Sequence, residues 1–174
     1  MQRGLRRPLL RRLSPSRRLA DNAHPEVVAM TLGKFLLRTI VIAVALFALG
    51  FVGHQLLLGR DYAAIEPIMR NKTDMMAHMP FALINSLIFS AAFVWIYAQG
   101  RSAKPWLGQG FRFGIAVWAL ASVSLYITNY VIEPWPGEFV AKILVWELIA
   151  AITLGVLIAA LSKNDAAQSR ATGA

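Results

Sequence analysis

Residues 139–161 read FVAKILVWELIAAITLGVLIAAL, and only two of these 23 residues, Lys142 and Glu147, carry charge. A helix rises about 1.5 Å per residue, so roughly 20 apolar residues cross a hydrocarbon core of about 30 Å. Three further blocks of the same kind lie upstream, at 39–58, 79–98 and 113–132. Together the four blocks hold nearly half of the 174 residues. The chain is 57% apolar and 16% charged, against roughly 45–50% and about 25% in soluble domains. A soluble globular enzyme is excluded on these grounds. The absence of cysteine excludes a disulfide scaffold and a thiolate metal site.

The expected architecture is all-α: an integral membrane four-helix bundle over residues 35–162. A basic N-terminal arm, 1–34, and a tail, 163–174, flank it and are expected to be disordered. The formal net charge is +9, from 18 Lys+Arg against nine Asp+Glu. Its distribution points to a membrane and not to nucleic acid. Fourteen of the 18 basic residues fall in segments 1–38, 99–112 and 163–174, on one side of the four spans, and four fall on the other. The positive-inside rule then puts both termini in the cytoplasm. Anionic lipids near the basic arm follow as partners.

The first 20 residues, MQRGLRRPLLRRLSPSRRLA, are rich in Arg and contain no acid. Three readings stay open. The stretch has the composition of a mitochondrial transit peptide, it could be a basic arm on the membrane surface, or translation could start at Met30. The expected location is a bacterial inner membrane, with the mitochondrial inner membrane as the alternative.

Small residues at spacing four show where membrane helices approach. Glu147, Ala151, Gly155 and Ala159 form such a stripe in the fourth span. The third span carries Gly110 and Gly114, with Ala121 continuing that face; the second carries Ala82, Ser86 and Ser90, and the first Gly50 and Gly53. Glu133-Pro134-Trp135-Pro136-Gly137 predicts a short stiff turn that makes the last two spans antiparallel neighbours. A surface helical turn is expected around 62–69.

Polar groups inside a span are costly, about 2.5–3.5 kcal/mol for a charge at the centre, and call for a reason. They are His54, Gln55, Asn85, Thr128, Asn129, Lys142 and Glu147. All fall in the half of the spans opposite the termini. Glu147 sits on the small-residue stripe, so it should face neighbouring helices. The expected site is a buried polar cluster of Glu147, His54, Asn85 and Asn129. It is either a hydrogen-bonded packing cluster or a proton or substrate site. Lys142 is expected to extend its ammonium to the surface. Met75, Met76, His78 and Met79 form a soft-ligand group that reads more simply as interfacial side chains. Asn71-Lys72-Thr73 is a glycosylation sequon.

The segments Gly50–Tyr62, Gly110-Phe111-Arg112-Phe113-Gly114 and Glu133-Pro134-Trp135-Pro136 resemble elements of small four-span bacterial membrane proteins of unknown function. The resemblance covers roughly 36–161. It implies an inner-membrane four-helix bundle and brings no catalytic residues.

No phosphate-binding glycine loop and no Ser/His/Asp set with usable spacing occurs. The leading expectation is a non-enzymatic accessory or assembly component acting through helix packing, without a cofactor. A membrane-protein partner or a homo-oligomer is expected with it. The alternative is a small oligomeric transporter or channel subunit with Glu147 as a proton-linked group. A third reading is a haem or redox protein using His54.

Overall fold

The computed structural model describes residues 30–102 and 105–165. The expected disorder of the arm and tail therefore falls largely outside the described residues. Within them all the regular structure is helical, with no strand. Four helices are long and apolar enough to cross a membrane: α1 (Leu32–Leu57), α3 (Met79–Gly100), α4 (Trp106–Ile132) and α5 (Gly137–Ser162). A fifth, short helix, α2 (Lys72–Ala77), precedes α3.

Hydropathy places the start of the first span at 39, but α1 begins seven residues earlier. Thr31 is its N-cap and accepts a hydrogen bond from the Lys34 amide at 3.4 Å, filling a vacancy that every helix start leaves. Lys34, at the end of the expected arm, and Arg38, just before the expected span, thus lie in the first two turns of a helix long and apolar enough to cross a membrane. Between α1 and α2 the chain makes two tight 3₁₀ turns, Asp61–Ala64 and Glu66–Ile68. These lie where the surface helical turn is expected. Asn71 then caps α2 by accepting from the Asp74 amide at 2.9 Å.

The closest approach in the bundle is between α4 and α5. A methyl group built on Gly110 would lie 2.5 Å from the Gly155 carbonyl oxygen, and one on Gly114 would lie 2.5 Å from that of Ala151. Two stripes read separately from the sequence therefore dock on each other, backbone to backbone. Without a hydrophobic drive in lipid, such contact supplies dispersion attraction that larger side chains would prevent. Helix α1 packs against α3 and α5, with Ile42, Phe93, Val94, Leu154, Ile158 and Ala159 buried between them. Contact between α3 and α4 runs mainly through aromatic rings: Phe113 lies 4.7 Å from Phe93 and 5.3 Å from Tyr97, centroid to centroid.

At the end where α1 finishes, the 58–65 segment folds back over α5. Leu58 and Ile65 are buried there with Phe139 and Ile143, and Tyr62, Tyr126, Trp135 and Trp146 pack around them.

Candidate functional site

Two polar clusters occupy opposite ends of the bundle. The first centres on Glu147, ten residues into α5 and so about 15 Å along it. His54 Nε2 lies 3.2 Å from Glu147 Oε1. Ser122 donates to Oε2 at 3.2 Å, and Tyr126 turns its hydroxyl to the same carboxyl group. On the far side of the imidazole, His54 Nδ1 lies 2.6 Å from the Tyr62 hydroxyl. With the ring proton on Nε2, His54 donates to Glu147 and accepts from Tyr62. The result is a continuous chain from Tyr62 through His54 to Glu147. Burial, and the Glu147 carboxyl group behind it, push the Tyr62 phenol from 10.0 up to about 12, so it stays a donor.

Local helix geometry sets up these contacts. His54 lies in a seven-residue π-helical stretch, Phe51–Leu57, at the end of α1. Ser122 lies in a second, Trp118–Val123, in the middle of α4. A π turn takes in one extra residue, re-aims the side chains on it, and is found disproportionately at functional sites. Gly53 is buried under the Trp146 ring; a side chain there would collide with the indole. Trp118 donates to the Leu144 carbonyl at 2.9 Å, tying the second π stretch to α5.

Of the four residues expected to cluster, the structure brings His54 and Glu147 together. Asn85 is exposed on α3 and Asn129 is half-buried on α4, and neither side chain bonds to Glu147. Ser122, Tyr126 and Tyr62 take those places. Lys142 bonds to Asp61 at 2.8 Å and to Glu138 at 2.9 Å, at the surface. His78 pairs with Asp74 at 3.2 Å beside exposed Met76. Both nitrogens of His54 are engaged, so iron ligation there would have to break one of the two bonds.

The second cluster was not expected. Asp165, just past α5, receives Arg38 at 2.8 and 2.9 Å, Arg101 at 2.8 Å and Lys34 at 3.1 Å. Arg38 also donates to the Leu161 carbonyl at 2.8 Å, and Arg101 to that of Ser162 at 3.0 Å. Burial disfavours the charge of Asp165. The bonds from Arg38, Lys34 and Arg101 outweigh it and hold the carboxyl well below the usual range. This cluster joins α1, the end of α3 and the end of α5, and its form is that of a structural clamp.

No known protein family, curated protein or solved structure matches the chain.

Proposed function

We propose that this chain is a non-enzymatic multi-pass membrane protein, an accessory or assembly component that works by packing its helices against other membrane helices. One observation carries the reading. Between the two polar clusters, Ile42, Phe93, Val94, Leu154, Ile158 and Ala159 fill the middle of the bundle. Among the described residues of a single chain the packed middle is therefore mostly apolar, the buried Ser90 hydroxyl excepted. Large apolar side chains also point outward, Leu120 at 79% and Val131 at 76% exposure on α4 among them. The Lys/Arg asymmetry supports an orientation with both termini in the cytoplasm, and the proposed location is a bacterial inner membrane. The test is a photo-reactive residue at Leu120 or Val131, activated in native membranes. The reading expects a discrete cross-linked protein product. Cross-links to lipid alone from both positions refute it.

A second reading is favoured by a different observation, the Tyr62–His54–Glu147 chain seated on two π turns. In it the protein is a subunit of a small oligomeric transporter or channel, and Glu147 is the proton-linked group. Liposomes carrying the protein and a trapped pH dye separate the two. Proton flux abolished by Glu147→Gln supports the second reading. Under the first there is no flux, and the substitution changes stability by only about 0.6 kcal/mol, the average for an interhelical hydrogen bond in a membrane protein.

A further inference from the structure

An open groove lies between α3 and α4 at the Asp165 end. It has a volume of about 330 Å³ and is lined by Ile96, Tyr97, Gly100, Ser102, Gln109, Arg112 and Phe113. It exists because α3 and α4 meet through Phe93, Tyr97 and Phe113 rather than backbone to backbone, which leaves the helices apart toward their ends.

The lining is graded. Ser102 and Gln109 bond to each other across the mouth, through contacts of 2.9 and 3.0 Å. Deeper in, Ile96 is 48% exposed beside Phe113. Arg112 starts six residues into α4, about 9 Å below the first residue. Its Nε donates to the Gly108 carbonyl at 3.1 Å, so the guanidinium turns back toward the helix start. That is the level of Trp106, an interfacial residue type. Among the described residues no carboxylate lies within ion-pair distance of Arg112.

A second groove at this end, about 310 Å³ and lined among others by Lys34, Arg38, Leu37 and Asp165, differs in that respect. Its two cations are bonded to Asp165. The whole end is positive: among the described residues it carries Lys34, Arg38, Arg101, Arg112 and Lys163 against Asp165 alone.

We propose that the groove between α3 and α4 binds an anionic phospholipid of the surrounding bilayer, with its phosphodiester on Arg112 and an acyl chain along Ile96 and Phe113. A guanidinium presents a planar fork that matches two phosphate oxygens. The apolar lower half selects an amphiphile over a free anion, because an inorganic ion leaves Ile96 and Phe113 uncovered. The positive surroundings favour an anionic headgroup over a zwitterionic one.

The test uses the full chain purified in mild detergent. Native mass spectrometry measures retention of phosphatidylglycerol and of phosphatidylcholine with the same acyl chains, with inorganic phosphate as a third ligand. Wild type should retain phosphatidylglycerol preferentially. Arg112→Gln should weaken that retention about fivefold and leave phosphatidylcholine unchanged. Ile96→Trp keeps every charge, sits on the outer surface and fills the apolar half; it should also weaken phosphatidylglycerol. Lys163→Gln removes a charge at the same end, outside the groove, and should keep the preference. Equal losses in Arg112→Gln and Lys163→Gln overturn the site in favour of diffuse attraction. Displacement of the lipid by millimolar phosphate overturns it in favour of a free-anion site. If Arg112→Gln does not fold, wild-type retention in Ile96→Trp overturns the proposal by itself.

Discussion

Replacing Asp165 by Asn keeps the shape of the clamp at the end of α5 and removes its charge. Arg38 is 7% exposed, so without its counter-charge it is a buried cation with little access to water. Breaking a buried ion pair from one side costs about 3–5 kcal/mol, most of it the desolvation left uncompensated. Lys34, with 41% of its side chain exposed, adds no more than a surface pair, about 0–1 kcal/mol. The Asn carbonyl still accepts one guanidinium bond, but its amide nitrogen meets donors. We therefore expect a loss of about 3 kcal/mol, read by titrating the protein with SDS and following tryptophan fluorescence. The double variant Arg38→Met, Asp165→Leu should recover much of the loss, since apolar replacement of a buried pair is often neutral. The pH dependence has a definite sign. The native carboxyl titrates below its ordinary value of 3.8, so the stabilisation is complete above that pH. It is lost as pH falls from there through the lower native value. Asp165→Asn should not show this acid limb. A cost below 1 kcal/mol, or a double variant no better than the single one, refutes the assignment of a buried clamp.

Gly155→Leu should cost at least 1–3 kcal/mol, because its first side-chain carbon already falls on the Gly110 carbonyl and 2.8 Å from the Gly114 nitrogen. Gly33→Leu, where nothing lies within 4 Å, is the control and should cost less than 1 kcal/mol; equal costs would show that α4 and α5 do not meet there. The phenol of Tyr62, raised to about 12, contributes stability that is complete below pH 10 and lost as pH rises through 12. Tyr62→Phe should show a smaller alkaline loss than wild type in the same SDS titration. Single cysteines at Asn71 and Ser102 should react with an impermeant thiol reagent from opposite sides of the membrane. Equal labelling of both from outside would overturn the topology.

The α4–α5 contact was legible because small residues at spacing four are a one-dimensional pattern. Gly110, Gly114, Ala151 and Gly155 could be picked out without knowing their partners. Glu147 and His54 were legible as polar residues at shared depth. Asn85 could have been separated from them by helical phase. It lies five residues, about 140° at 100° per residue, from Ser90, and Ser90 is fully buried, so Asn85 faces away. Tyr62 escaped notice because hydropathy places it outside the membrane, where no rule links a loop residue to a span. Nothing in the sequence marks the two π turns that aim His54 and Ser122. The Asp165 clamp was missed for a reason built into hydropathy itself. Charges lower the score of the first and last turns of a span, so Lys34 and Arg38 were counted as topology signals outside it. Two features did point there. Thr31 stands at a natural helix cap, and Asp165 is the one acid after Glu147 in a basic tail.

Chain order gives the Asp165 clamp a place in biosynthesis. Arg38 leaves the ribosome 127 residues, and Arg101 64 residues, before the carboxylate that both bind. At about 5–20 residues per second, Arg38 waits roughly 6–25 seconds for its counter-charge. During that interval α1 and α3 can pack through their apolar faces, but their basic ends stay without the carboxylate that joins them to the end of α5. Completion of the clamp is thereby made conditional on synthesis past residue 165. A nascent chain stopped at Ser162 would have all four spans, yet three cations at its basic end would lack their acid. Such a chain is distinguishable from the finished one by charge alone, which is the property a membrane protease or chaperone needs to tell them apart.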